Sequence, residues 1–240
     1  MIQLRVVETT ASTNDDAKEA LRAGEPTGLV ILAHTQSAGR GRQGRSWVGT
    51  PGDTMMASMV IGRTMPARRV GLLSLAAGFA VHEYVATVAP SARLKWPNDV
   101  LIDGRKVAGI LTESMLRGEQ VVGAVIGIGL NLHARSLPPE LQSTATALSA
   151  YTEVLPTAEQ AAVRIFERVL QVADDVLARG LAPYVQRMNA AHALAGKTVR
   201  AEGAGLAVVR EIDDDGRLVV QTDRGVERWT SGEVHLVDAY

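Results

Sequence analysis

Between Arg93 and Leu132 the chain reads RLKWPNDVLIDGRKVAGILTESMLRGEQVVGAVIGIGLNL, and this stretch limits the fold more than any other. Asp103-Gly104 is a two-residue hairpin signal, and Arg117-Gly118-Glu119 is a second turn between the apolar runs Lys106 to Ser114 and Val121 to Leu132. Runs joined by turns this short pair antiparallel, because a parallel pair needs a long crossover. The sequence therefore predicts an antiparallel meander with Arg93 to Trp96 and Val100 to Ile102 as its first, short strands.

The rest of the chain supplies elements to flank and cover that meander. Ile2 to Val7, Leu29 to Thr35 and Thr54 to Ile61 read as strands. Ser12-Thr13-Asn14-Asp15 offers N-cap chemistry for a helix to about Ala23, ended by Gly24 and Pro26. Val70 to Ala89 reads as a buried helix, and Val163, Phe166, Leu170, Ala173 and Leu177 recur at helical spacing within Ala158 to Ala178. From Gly196 the texture changes to short strands, TVRAEG, AVVREI, LVVQT, VERWT and VHLV, separated by Gly203 to Gly205, Asp214-Asp215-Gly216 and Arg224-Gly225. The expected fold class is α+β: a mixed, largely antiparallel sheet with helices packed on it over residues 1–195, and a small β-barrel over 196–240.

Composition excludes several function classes. With 46% apolar and 21% charged residues the chain has the make-up of a globular protein, and a net charge of −1 over 240 residues argues against a bulk nucleic-acid binder. Without cysteine there is no disulfide, thiolate metal site or thiol nucleophile. The five histidines are scattered without metal-ligand spacing. The N-terminus meets polar and acidic residues too early for a signal peptide, and Ser74, Gly78, His82 and Glu83 interrupt the longest apolar stretch. A soluble, cytoplasmic protein is expected, with no membrane partner.

Gln36 to Gly52 is a long segment with no periodicity, and it contains AGRGRQGRSW. Gly39, Gly41 and Gly44 have dinucleotide-turn spacing, but RSWVGTPGD follows where a helix would have to begin. Arg40, Arg42 and Arg45 sit between and beside these glycines with no acid from Pro26 to Gly52. Such a loop suits a phosphate or carboxylate ligand, and a solvated loop or a nucleic-acid contact are the alternatives its residues leave open. Gly196-Lys197 is not a Walker A end, because Ala191 stands where the first glycine belongs and a strand follows.

Three shorter motifs carry further chemistry. In Lys95-Trp96-Pro97-Asn98-Asp99, Pro97 presents Lys95, Asn98 and Asp99 around one bend, either to hold a Mg²⁺-bound nucleotide or as a plain Asn-Asp turn. In KVAGILTES, alternation predicts Lys106, Ala108 and Ile110 on one face and Val107, Gly109 and Leu111 on the other. Gly109 permits close approach of a ligand, and a lysine among small and apolar neighbours is costly to bury unless an anion meets it. In GIGLNLH, Asn131 either reads an adenine edge or caps a turn.

In this order the motifs STN, GRGRQGRSW, KWPNDV, KVAGILTE and GIGLNL resemble the biotin protein ligases, over about Val6 to Leu132. The resemblance implies a class II aminoacyl-tRNA synthetase-like sheet, an SH3-like C-terminal barrel, and no helix-turn-helix domain ahead of STN, hence no operator DNA as a partner. It implies biotin and Mg·ATP as substrates with no tightly bound organic cofactor, a biotinoyl-adenylate intermediate, and transfer to a lysine of a carboxylase's biotin carboxyl carrier domain. It implies that Ser12, Thr13, Asn14 and Gln36 hold biotin with Gly39, Gly41, Gly109 and backbone near Arg40. Arg42 and Lys106 are the catalytic residues so implied, Lys106 bridging biotin carboxylate and α-phosphate. Arg45, Trp47, Lys95, Asn98, Asp99, Ile110 and Asn131 fall to the nucleotide side, Asp99 also as the Mg²⁺ ligand. The family also contains homodimers, a state one sequence leaves open. The competing readings are a lipoate or octanoyl ligase or transferase, which lacks the arginine-glycine loop, and a nucleic-acid-binding regulator.

An acyl-adenylate must be shielded from water, so the loop is expected to order over its ligand. Limited proteolysis between Gly39 and Gly52 is predicted to slow when biotin and ATP are added together; an unchanged cleavage rate would contradict that closure.

Overall fold

The computed structural model describes residues 1–47, 49–201, 205–230, 232 and 234–237. Val48 of the arginine-glycine loop and Glu202 and Gly203 of the TVRAEG stretch, with the turn that follows, lie outside them. Seven strands, β1 (Gln3–Thr10), β2 (Leu29–Gln36), β3 (Thr54–Ile61), β4 (Ala92–Lys95), β5 (Asp99–Ile102), β6 (Arg105–Arg117) and β7 (Gln120–Asn131), form one sheet in the order β1-β2-β3-β7-β6-β5-β4. Only β1 and β2 run parallel, with helix α1 (Thr13–Arg22) as their crossover; every other pair is antiparallel. Asp103 and Gly104 both have positive φ (49° and 79°), the geometry a tight hairpin turn requires.

Helix α2 (Ala67–Ala86) and helix α3 (Ala158–Arg179) cover one face of this sheet. Ile126, Ile128 and Leu130 of β7 join Leu73, Ala77, Phe166 and Val169 in the main core. Each of the larger of these side chains contributes about 1.5–3 kcal/mol when fully buried, which holds the sheet against the helices. Helix α3 starts at Thr157, where a capping box with Gln160 satisfies two end groups (3.2 and 3.0 Å). A further helix, α4 (Ala182–Ala190), was not expected from the sequence. Among the described residues no helix is long and apolar enough to cross a membrane.

The C-terminal strands β8 (Thr198–Ala201), β9 (Gly205–Ile212), β10 (Leu218–Thr222), β11 (Gly225–Trp229) and β12 (Val234–Leu236) pair in the order β11-β10-β9-β8-β12. The expected closed, SH3-like barrel is not formed: β11 and β12 are the two edges of an open sheet, unpaired with each other among the described residues. The reason lies in what covers the inner face. Val199, Val209, Leu218, Val220 and Val234 pack against Leu72, Leu75 and Phe79 of α2, Leu181 and Trp96, so helices of the larger unit do what the far wall of a barrel would do. The β9–β10 turn drives Gly216 so close that a β-carbon there would lie 2.7 Å from Leu72 Cδ2, and the Gly216 carbonyl accepts the Trp96 indole N–H at 3.0 Å.

The chain leaving α4 seals the edge of β4, with Leu94 N–H donating to Ala191 O and Ala193 N–H to Leu94 O. This buries His192 with neither ring nitrogen hydrogen-bonded, and burial, aided by Lys197, pushes its pKa down to about 4 from an ordinary 6.5. The folded state thus refuses a proton that the unfolded chain accepts between those values. Stability supplied by neutral His192 is complete above pH 6.5 and is predicted to fall by about 3 kcal/mol as pH drops to 4. Urea unfolding of His192→Leu should show a flatter pH dependence across that window; slopes equal to the unsubstituted protein would contradict it.

Candidate active site

The face of the sheet opposite α2 and α3, covered in part by α1 through Ala17 and Ala20 on Ile31, Val60 and Val125, holds nearly all the side chains that the motifs singled out. Its floor begins with Gly127, Gly129 and Asn131, which alternate along β7, and with Ser58, Met56 and Thr54 paired to them on β3. On the other flank, Gly109 and Leu111 of β6 pair with Gly129 and Gly127. The bareness of this strip is a requirement: a β-carbon at Gly127 would lie 2.1 Å from Asn14 Oδ1, and one at Gly129 2.2 Å from Trp47 Cε2.

One end of the strip is closed by the start of α1. Ser12 is the N-cap, but its hydroxyl makes no bond to the helix backbone; instead Gln36 Oε1, from the end of β2, accepts from Thr13 N–H at 2.7 Å. Ser12, Thr13 and Asn14 are almost wholly buried, so they form a polar patch inside an apolar setting. Arg40 does not reach this patch with its side chain. Its guanidinium pairs with Asp15 through two bonds of 2.7 and 2.6 Å, clasping the loop to α1 and holding the Asp15 carboxyl well below its usual range.

The loop itself is a small hairpin. Trp47 N–H donates to Gly39 O (2.9 Å) and Gly41 N–H to Arg45 O (2.6 Å), while Gln43 and Gly44 turn the chain at positive φ (56° and 72°). No helix follows Gly44, which removes the dinucleotide-fingerprint reading. The hairpin lays Trp47 on the strip, against Gly129 and Gly109 and 5.5 Å from Lys106 Nζ, with its indole N–H buried and unpartnered. Two open clefts lie elsewhere, one lined by residues such as Met65 and Glu119 and the other by residues such as Lys18 and Arg117.

Lys106 sits on a different face from the one alternation predicts. The β5–β6 register shifts between Val100 and Leu101, which pair with Ala108 and Lys106, so Val107 is an extra residue. Val107 and Ala108 both turn into the core with Ile110, and Lys106 joins Gly109 on the site face, its Nζ 2.9 Å from where a Gly109 β-carbon would stand. Ile110 therefore offers the site no side chain; its backbone instead pairs with Asn98, N–H to Asn98 O and carbonyl to Asn98 Nδ2, both at 2.9 Å.

That pairing fixes the bend after the cis Trp96-Pro97 bond. Asn98 Oδ1 accepts from Arg42 at 3.2 Å, and Asp99 forms an ion pair with Lys106 at 2.7 Å. Burial pushes the Arg42 guanidinium pKa down, and burial with nearby Lys106 and Arg45 lowers Lys95, against the pull of Asp99. Arg42, Lys95 and Lys106 thus gather round the one Asp99 carboxylate, with Arg45 near Arg42 and Lys95, an excess of positive charge that suits an anion. Asn131, at the far end of the strip, is buried and donates to Thr146 O at 2.9 Å. No group of three or more His, Cys, Asp or Glu side chains able to hold a metal occurs among the described residues, and Asp99 is engaged by Lys106.

Ser58, Met56 and Glu113 also line or back this strip and are not among the residues expected from the motifs. Glu113 was legible as part of KVAGILTE, but Ser58 and Met56 lie in an apolar strand with nothing to mark which face they take.

A polar patch, a glycine floor and a cationic end define a site for a ligand apolar in the middle and anionic at one end. Residues 6–131 match the Biotin/lipoate A/B protein ligase family and residues 195–237 the biotin protein ligase C-terminal domain; the chain belongs to that family. It is 35% identical over 246 residues to the biotin–[acetyl-CoA-carboxylase] ligase of Mycobacterium tuberculosis, covering 98% of this chain and 89% of that one. It is 32% identical over 239 residues to the bifunctional ligase/repressor BirA of Bacillus spizizenii, covering 95% and 72%. The fold matches the biotin protein ligase of Aquifex aeolicus solved with biotin and ATP, with a TM-score of 0.82 at 24% identity over 99% of both chains.

Proposed function

We infer that this protein is an ATP-dependent biotin protein ligase. It activates biotin as biotinoyl-5′-AMP, releasing pyrophosphate, and transfers the biotinoyl group to an acceptor lysine. The observation that carries the reading is the convergence of Lys106, Arg42, Lys95 and Asp99 at one end of a bare sheet strip, in a chain that matches the family at both ends. The C-terminal match, to a biotin protein ligase domain, favours biotin over lipoate.

In the proposed arrangement Ser12, Thr13 and Gln36 hydrogen-bond the ureido ring, with Asn14 behind them and backbone of Gly39, Arg40 and Gly41 alongside. The apolar chain of biotin lies along Gly109 and Gly129 under Trp47. Lys106 leaves Asp99 to meet the biotin carboxylate and the α-phosphate, and Arg42, Arg45 and Lys95 take phosphate charge. Attack by the carboxylate on the α-phosphate builds negative charge between these cations, and fixed cations in a water-poor groove stabilise it without reorganising. Asn98 sets the position of Arg42, and Asn131 faces adenine. Mg²⁺ enters with ATP as part of the substrate, since such an ion is held mainly by phosphates and water. The acceptor is proposed to be a carboxylase's biotin carboxyl carrier domain, in the cytoplasm, with neither DNA nor membrane needed. Residues 1–195 form the proposed catalytic unit and 196–240 the C-terminal one.

Exchange of labelled pyrophosphate into ATP is predicted to require biotin, to ignore lipoate, and to fall at least about 100-fold in Lys106→Ala. Lipoate-dependent exchange, or near-normal exchange in Lys106→Ala, would overturn the reading.

A further inference from the structure

A chain of hydrogen bonds runs behind the polar patch, from a carboxylate that the reaction does not use. Glu113 of β6 accepts from Asn14 Nδ2 at 2.7 Å and from Lys18 Nζ at 2.9 Å. Asn14 Oδ1 accepts from Ser58 Oγ at 2.6 Å, and Ser58 Oγ lies 2.7 Å from Thr13 Oγ1.

The directions along this chain follow from elementary valence. An ionised carboxylate only accepts, so the Asn14 amide must turn its NH₂ to Glu113 and its carbonyl to Ser58. An amide oxygen cannot donate, so the single Ser58 proton goes to Asn14. Ser58 then has no proton for Thr13, and their 2.7 Å contact is a bond only if Thr13 donates. The Thr13 proton is then committed to Ser58, the shorter contact, so the 3.1 Å approach to Gln36 Oε1 carries no proton of its own and Gln36 Oε1 is satisfied by Thr13 N–H at 2.7 Å. Geometry keeps the chain from rearranging: Gly127 brings bare backbone against the Asn14 amide, and Thr13, Asn14 and Ser58 are buried. Although burial opposes ionisation, the bonds from Asn14 and Lys18 hold the Glu113 carboxyl below its ordinary range, so the acceptor-only form prevails at neutral pH.

We propose that Glu113 is a positioning residue for the ureido subsite: its carboxylate orders the bonds from Asn14 through Ser58 to Thr13, leaving the Thr13 oxygen an acceptor for a ligand N–H. The proposal rests on the reading that Ser12, Thr13 and Gln36 hold the ureido ring. A carboxamide at position 113 relaxes the constraint, because it can donate as well as accept, and leaves only the long 3.4 Å bond from Asn14 Nδ2 to Leu111 O to orient the Asn14 amide, which then populates both orientations.

The test measures binding of biotin and of its two singly N-methylated ureido analogues to the unsubstituted protein, Glu113→Gln and Lys18→Met. In the unsubstituted protein, methylating the nitrogen that faces Thr13 should weaken binding at least about tenfold, the loss of one well-formed hydrogen bond. In Glu113→Gln, biotin should bind about tenfold more weakly, the methylation penalty should shrink to about threefold or less, and KM for ATP should stay within about twofold. Lys18→Met keeps the carboxylate and should retain the full penalty, which separates bond direction from loss of an ion pair. An undiminished penalty in Glu113→Gln, or a parallel loss of biotin and ATP affinity, overturns the proposal. If the unsubstituted protein binds both analogues as well as biotin, the ureido assignment itself fails, and the proposal with it.

Discussion

The pairing of Gly109 with Gly129 across β6 and β7 is the constraint around which the site is built. Two glycines side by side in the middle of a sheet forfeit side-chain packing and cost backbone entropy. The opposite face offsets this, because Ile110, Ile126, Ile128 and Leu130 fill the core under α2 and α3. Long strands anchored on one face can leave the other bare, and that bareness gives Trp47 a surface to lie on.

Charge is arranged around this strip by small departures from regularity. The extra residue at Val107 brings Lys106 to the site side, and the bend at Pro97 brings Asp99 to meet it. The pair keeps a lysine in place beside an indole, at the end where Arg42 and Lys95 also point their charge. At the other end Arg40 is spent on Asp15, so it secures the loop to α1 while Arg42 and Arg45 remain with the cationic cluster. Arginines only a few residues apart thus divide between fastening the loop to α1 and joining the cationic cluster. Trp96 ties the same bend to the C-terminal sheet through Gly216, so the cationic end of the site and the last strands share one core.

Much of this was legible in the sequence where one residue type leaves one option. Asp103-Gly104 announced its turn because both positions adopt positive φ, and β3 was read with its observed limits from Thr54 to Ile61. The motifs named most of the residues that meet at the strip. The bulge was not legible, since Val107 is apolar like its neighbours and alternation cannot show where it fails. Ile110 was misplaced for that reason. The barrel was overread because alternation in β8 to β12 says that one face is buried, not what buries it. Helix α4 is nine residues long with Pro183 in its first turn, too short for its periodicity to stand out. Glu113 carried no local sign of its partners, which come from α1, nearly a hundred residues away in the chain.

The central claim is that the ligand lies on the glycine strip. Calorimetric titration of biotin into the unsubstituted protein and Gly129→Ala tests it most directly, because that one methyl group enters the groove and Gly129 is not at positive φ. The account predicts at least about a tenfold loss of biotin affinity in a protein that still unfolds cooperatively, the Trp47 indole being displaced by the added methyl group. Unaltered biotin affinity in a folded Gly129→Ala protein would contradict it.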